Sequence, residues 1–163
     1  MAVELREFLP EDETLLVRYL ADPQTVQYLS NRIPQPYTAE DAHWWVTSGS
    51  REQIARAVVV DNQLVGAVGV IRGQLEEWYS AEIGYWIGRE HWGHGYASQA
   101  LQMMTDYLFE QTDLVRLAAT VFAPNVASMK VLEKCGYEFE ARLRKSIFKN
   151  GEFYDSLIYT RLR

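Results

Sequence analysis

The sequence predicts an α+β fold, a single domain over residues 1-163 with a mixed central β-sheet and helices on both faces. Three observations predict it. Strand-like runs outnumber helical ones; the element order reads βααα-βββ-α-β-α-ββ; and the three adjacent strands form a meander, not a regular doubly wound sheet. A chain of 163 residues suits one domain, and 48% hydrophobic with 13% aromatic content supplies a full core.

Each element has a local reason. Val3 to Phe8 alternates as a strand does. Pro10-Glu11-Asp12-Glu13 starts a helix with acids in its first turn, and Leu15, Leu16, Tyr19 and Leu20 form its apolar stripe. Asp22-Pro23 interrupts that helix, and a short one follows through Val26 and Leu29. Residues 30 to 36, with two prolines, read as a loop. Thr38 caps a helix leading through Trp44 and Trp45, which read as core, or else as the wall of a cleft. Ala55 to Val60 and Leu64 to Ile71 are hairpin strands around an Asp61-Asn62 turn, and Ala81 to Gly88 is the third strand. A helix from about Tyr96 to Phe109 carries Ala97, Ala100, Leu101, Met104 and Leu108 on one face. Leu117 to Phe122 is a strand, and Asn125 to Cys135 a helix closed by Gly136. Tyr137 to Ile147 and Phe153 to Leu162 are two strands turned by Lys149-Asn150-Gly151.

Composition removes several functions. The net charge of −6 argues against a nucleic-acid surface. No apolar run approaches the roughly 20 residues of a membrane helix, and the first residues lack the pattern of a secretory leader. A single cysteine, Cys135, gives neither a disulfide framework nor a cysteine-based zinc site, so the cytoplasm is expected. The charge is uneven. Ala141 to Arg163 holds six Lys/Arg and two Asp/Glu, which leaves ten Lys/Arg against twenty Asp/Glu elsewhere, a net of −10. An acidic body steers cationic amines or peptides inward, or is ordinary solubility charge.

The chemistry concentrates in two stretches. Trp92-Gly93-His94-Gly95-Tyr96-Ala97 runs from a strand into a helix through Ser98. Such a glycine turn points unpaired backbone N–H groups outward at the positive end of the helix dipole, a phosphate site, or serves strand–helix geometry alone. The dinucleotide fingerprint fails, because its third glycine is Ser98, and no phosphate-loop lysine follows. On the strand before it, Glu82, Gly84, Trp86 and Gly88 share one face, and Ile83, Tyr85 and Ile87 the other. Glu82 is either a strand-end glutamate in solvent or, partly buried, a general base with a raised pKa. The second stretch begins Asn125-Val126-Ala127-Ser128. Asn125 suits an N-cap, and Ser128 either bonds to the backbone or offers a hydroxyl to a neighbouring cleft. His43, His91 and His94 lack ligand spacing and a nucleophile partner, so no metal site or triad is expected.

Together, Glu82 to Gly88, Trp92 to Leu101 and Asn125 to Tyr137 resemble the GNAT family of acetyl-CoA-dependent N-acetyltransferases, in detail the ribosomal-protein N-terminal alanine acetyltransferases, and the likeness covers essentially the whole chain. The resemblance implies that the family's Gln/Arg-x-x-Gly-x-Gly/Ala loop is Trp92 to Ala97 here. Trp92 replaces its cationic first residue. Main-chain groups of Gly93, His94, Gly95, Tyr96, Ala97 and Ser98 hold the pyrophosphate, and those of Trp86, Ile87 and Gly88 line the pantetheine arm, with Ile87 offering an N–H to the oxyanion. It further implies Glu82 as general base; from the strand alternation, Asp155 on the final hairpin, sharing a face with Phe153 and Leu157, is the competing base. The tyrosine that many members use as general acid is Leu132 here, so Ser128 takes that role and Asn125 contacts pantetheine. The expected activity is acetyl transfer from acetyl-CoA to a primary amine by direct attack, on a peptide or protein N-terminal α-amine. The alternatives are a small amine (polyamine, amino acid or antibiotic) and a non-catalytic acyl-CoA-binding module. Neither metal, nucleic acid nor membrane is expected as a partner.

Overall fold

Turn chemistry sets the sheet. Asp61 and Asn62 both hold left-handed backbone, φ 51° and 63°, and join two strands as the primed turns of tight hairpins do. Asn150 and Gly151, at φ 51° and 80°, do the same near the end of the chain. The structure is a computed structural model and describes residues 2–163. Among them, β1 (Glu4–Arg6), β2 (Ile54–Val60), β3 (Gln63–Arg72), β4 (Ser80–Ile87), β5 (Arg116–Phe122), β6 (Glu138–Lys149) and β7 (Glu152–Leu162) form one sheet in the order β1-β2-β3-β4-β5-β7-β6. β4 and β5 run parallel; β1–β2, β2–β3, β5–β7 and β6–β7 are antiparallel. Helices α1 (Glu13–Leu20), α2 (Pro23–Val26), α3 (Ala39–Thr47), α4 (Tyr96–Gln111) and α5 (Val126–Lys134) flank this mixed sheet, so the α+β fold is as predicted. No helix of the described residues is long and apolar enough to cross a membrane.

The contacts divide the chain into two units. The first is the chain up to Val70 with Tyr85–Ala100. Its core joins Leu16, Tyr19 and Leu20 of α1 and Ala42 and Val46 of α3 to Ala55, Ala57, Val59, Leu64 and Ala67 of the β2–β3 hairpin. Asp12 is buried there because Arg6 takes both its oxygens, at 2.8 and 2.9 Å, and the Leu9 N–H donates to it as well. Thr38 and Asp41 form the reciprocal cap that starts α3.

The second unit is Ile71–Gly84 with Leu101–Arg163. Leu101, Met104, Leu108, Leu114, Leu117 and Leu132 are sealed from solvent. Truncating one such leucine to alanine costs about 2–5 kcal/mol. The Tyr137 hydroxyl meets that of Thr105 at 2.8 Å, so burial leaves neither unpaired. The Arg161 guanidinium donates to the Cys135 carbonyl at 2.7 Å, closing the end of α5.

The first strand is shorter than Val3 to Phe8. Asp22-Pro23 does not merely interrupt: Asp22 caps α2 by accepting the Gln24 N–H, and proline fits the first helical position, which donates no helical bond. Trp44 is not core but about half exposed, while Trp45 packs edge-on against Phe8 with ring centres 5.6 Å apart.

Candidate active site

β4 alternates as predicted: Ala81, Ile83 and Ile87 are buried, Glu82 and Gly84 exposed, Trp86 half-buried. The chain leaves β4 at Gly88, whose N–H donates to the Val65 carbonyl at 2.8 Å. A Cβ on Gly88 would lie 2.8 Å from the ring of Tyr19, so only glycine lets that ring pass beneath. The Tyr19 hydroxyl donates to the Leu64 carbonyl at 2.8 Å and lies 2.9 Å from His91 Nε2. A hydroxyl has one proton and a carbonyl only accepts, so His91 Nε2 carries the hydrogen of the second bond. Burial pushes the Tyr19 phenol up to about 12.

A single turn of tighter helix, Arg89–His91, follows. It is pegged to α1 and α2. Arg89 Nε meets the Asp22 carboxylate at 2.8 Å, its N–H donates to Thr25 Oγ1, and Glu90 pairs with Arg18 at 2.7 Å. The indole N–H of Trp92 then reaches back to the Ile87 carbonyl at 2.7 Å and pins the turn.

Gly93 and Gly95 hold φ of +82° and +76°, and a Cβ on either would meet nothing within 4 Å. Glycine is needed there for backbone conformation, and the space outside is open. The Gln99 N–H donates to the Gly95 carbonyl at 3.1 Å as α4 begins. The N–H groups of Tyr96 and Ala97, at the head of α4, have no helical carbonyl to bond. His94 stacks on Tyr96 with ring centres 5.2 Å apart.

In the second unit, the β4–β5 ladder joins Ser80, Ala81 and Glu82 to Arg116, Leu117 and Ala118. Glu82 is exposed, so the partly buried setting considered for it is not found. β5 continues against β7 to Phe122, paired with Ser156. The Asn125 N–H then donates to the Phe122 carbonyl at 2.8 Å, and Asn125 Oδ1 accepts the Ser128 N–H at 3.3 Å. Asn125 is thus the N-cap of α5, and its amide NH₂ is the donor end directed away from the cap. Ser128 lies half-buried in the first turn, and Leu132, one turn on, is fully buried.

The competing base on the final hairpin is held by two donors. Asp155 accepts Arg142 Nε at 2.7 Å and the Lys145 N–H at 2.8 Å, which hold its carboxyl below the usual carboxylate range. A weakly basic carboxylate serves poorly as a proton acceptor. Burial pushes the Cys135 thiol up, away from the reactive thiolate.

Main-chain groups expected along pantetheine have partners within the protein. The Ile87 carbonyl and the Gly88 N–H already carry partners, in Trp92 and Val65. Sequence reasoning missed Tyr19, Arg18, Asp22 and Thr25 as supports of the loop. Only Gly88 hinted at a close approach, since contacts across dozens of residues leave no local pattern. Among the described residues, no three His, Cys, Asp or Glu side chains come together to hold a metal.

The family model for the acetyltransferase (GNAT) domain matches residues 2–138. An uncharacterized N-acetyltransferase p20 of Bacillus licheniformis is 30% identical over 167 aligned positions, covering 98% of this chain and 92% of that protein. The ribosomal-protein-serine acetyltransferase of Escherichia coli is 32% identical over 103 residues, 63% of this chain and 56% of that protein. Among solved structures, an acetyltransferase of the GNAT family from Bacillus anthracis superposes with a TM-score of 0.87 at 27% identity, over 99% of this chain and 95% of that one. A spermidine N-acetyltransferase from Vibrio cholerae, solved with CoA and spermine, shares the fold, with a TM-score of 0.81 at 23% identity over 98% and 95% of the two chains.

Proposed function

The chain belongs to the acetyltransferase (GNAT) domain family, and from that membership we propose that it moves acetyl from acetyl-CoA to the α-amine of a peptide or protein N-terminus, as the ribosomal-protein branch does. The observation that carries this reading is the pinned turn at Gly93–Gly95. It offers open space and backbone donors where α4 begins, and these fit a pyrophosphate. Bound acetyl-CoA supplies an activated acetyl thioester.

The remaining steps fall to side chains. An acceptor ammonium must lose its proton before it attacks, and Glu82, exposed on β4, takes that proton directly or through water. Ser128 donates a hydrogen bond to the departing thiolate, since Leu132 leaves no hydroxyl one turn later. The Asn125 amide NH₂ holds the pantetheine arm while its oxygen caps α5. No covalent enzyme intermediate is needed, which agrees with the buried thiol of Cys135.

The ribosomal-protein-serine acetyltransferase supports the protein acceptor. A polyamine acceptor is the second reading, and the acidic composition favours it. Incubation with acetyl-CoA and a panel of free peptide N-termini, amino acids and spermidine, read by CoA release and product mass, tests both. Acetylation of peptides is expected; spermidine as the sole acceptor would reverse the choice, and no transfer to any amine would remove the activity.

A further inference from the structure

Between Leu143 and Ile147, β6 departs from its register with β7. Lys145 takes a left-handed φ of 51°, which a lysine adopts only when held. Asp155 holds it, through the Lys145 N–H and the Arg142 guanidinium. The Ser146 hydroxyl adds bonds to the Leu143 carbonyl at 3.1 Å and to Ser156 Oγ at 2.6 Å. This bulge displays Arg142, Arg144 and Lys145, all exposed. Arg142 is bound to Asp155, while Arg144 and Lys145 form no ion pair with any carboxylate among the described residues.

Three facts give this surface meaning. Ala141 to Lys149 holds three exposed cations, a buried Lys149 and no acid in a chain of net charge −6, so the patch stands against the field of the rest of the protein. Leu143, Phe148 and Phe153 are also exposed beside it, by 47%, 60% and 64%. β6 ends the strand order, and edge strands carry lysines and bulges to discourage stray pairing. That purpose would not leave three large apolar side chains in solvent among the charges. Finally, Asp155 touches the proposed catalytic turn: its main-chain carbonyl accepts the Ala123 N–H at 3.0 Å, two residues before Asn125.

We propose that the β6 bulge is a docking surface for an acidic stretch of the acceptor polypeptide, downstream of the amine that is acetylated. The proposal rests on the acetyltransferase reading above and names its substrate class. Carboxylates meet Arg144 and Lys145, and apolar side chains meet Leu143, Phe148 and Phe153. A polyamine is repelled from the same surface.

Two peptides with identical first three residues test it, one continuing with Asp and Glu, the other with Asn and Gln. At low salt the acidic peptide is expected to be acetylated with a kcat/KM about ten-fold higher, a few-fold for each exposed charge pair. The gain lies in KM, because docking precedes chemistry, and shrinks as salt rises to about 0.5 M. In the double variant Arg144→Glu/Lys145→Glu the preference disappears while turnover of the neutral peptide holds. Equal use of both peptides by the parent, or an undiminished preference in the variant, overturns the proposal. An N-acetylated acidic peptide with a fluorescent label reads docking without catalysis. If it binds the parent and not the variant, docking stands even where no amine is acetylated; if it binds neither, the surface assignment falls while any acetylation of neutral peptides still upholds the enzyme.

Discussion

Two residues carry the proposed chemistry and separate cleanly by experiment. Glu82→Gln keeps the shape and removes the base. A fall in kcat/KM of about a hundred-fold is expected, typical of general-base loss. The variant should regain rate only as pH approaches the pKa of the acceptor amine. Near-silence of Glu82→Gln would mean that water deprotonates the acceptor and that positioning does the rest. Ser128→Ala is expected to slow kcat with CoA affinity nearly unchanged, because the lost hydrogen bond matters chiefly as the thiolate departs. Equal turnover in variant and parent would remove Ser128 from the mechanism. Glu82 was visible in the sequence because an acid in an apolar alternation stands out. Asp155 was visible only as a carboxylate: its two donors, Arg142 and the Lys145 N–H, meet it through a bulge that no spacing rule foretells.

The helices and strands themselves were largely legible, since each rests on local signals: Thr38 as a cap, primed turns at Asp61-Asn62 and Asn150-Gly151, period two along β4. What escaped was how elements hold one another. The turn after β4 owes its shape to Tyr19, Thr25, Asp22 and Arg18, more than sixty positions earlier, and to the indole of Trp92. Gly95 is where this support can be probed. At φ +76° an alanine carries strain of roughly 1–2 kcal/mol, so Gly95→Ala is expected to fold with a lowered Tm. Gly95→Glu adds bulk and a negative charge and is expected to abolish CoA binding. Titration calorimetry showing unchanged affinity in folded Gly95→Glu would take the pyrophosphate away from this turn.

For the molecule as a whole, three buried phenols set an alkaline limit. Tyr19, Tyr37 and Tyr137 are each pushed by burial up to about 12 from an ordinary 10. Between those values the unfolded chain releases protons that the folded chain keeps, so stability falls as pH rises through that window. Tyr159 and the Cys135 thiol, also raised by burial, add to the fall, while Lys149, lowered by burial, works the other way below its ordinary 10.5. Urea midpoints taken from pH 8 to pH 12 are expected to hold and then drop above about 10; a flat profile would mean that these hydroxyls ionise in place.

The β6–β7 hairpin has one further consequence. The Asp155 side chain closes the bulge within the hairpin, while only its main-chain carbonyl reaches Ala123. A carbonyl is the same in every residue, so this one hydrogen bond does not depend on which residue stands at 155, whereas Tyr154 and Lys149 set their side chains against the Phe122 ring. Residues 142 to 155 therefore move as a cassette only together with an aromatic ring at the position of Phe122: spliced into a relative of the same fold that has one, they should carry their choice of acceptor with them, and a foreign hairpin spliced here should erase it.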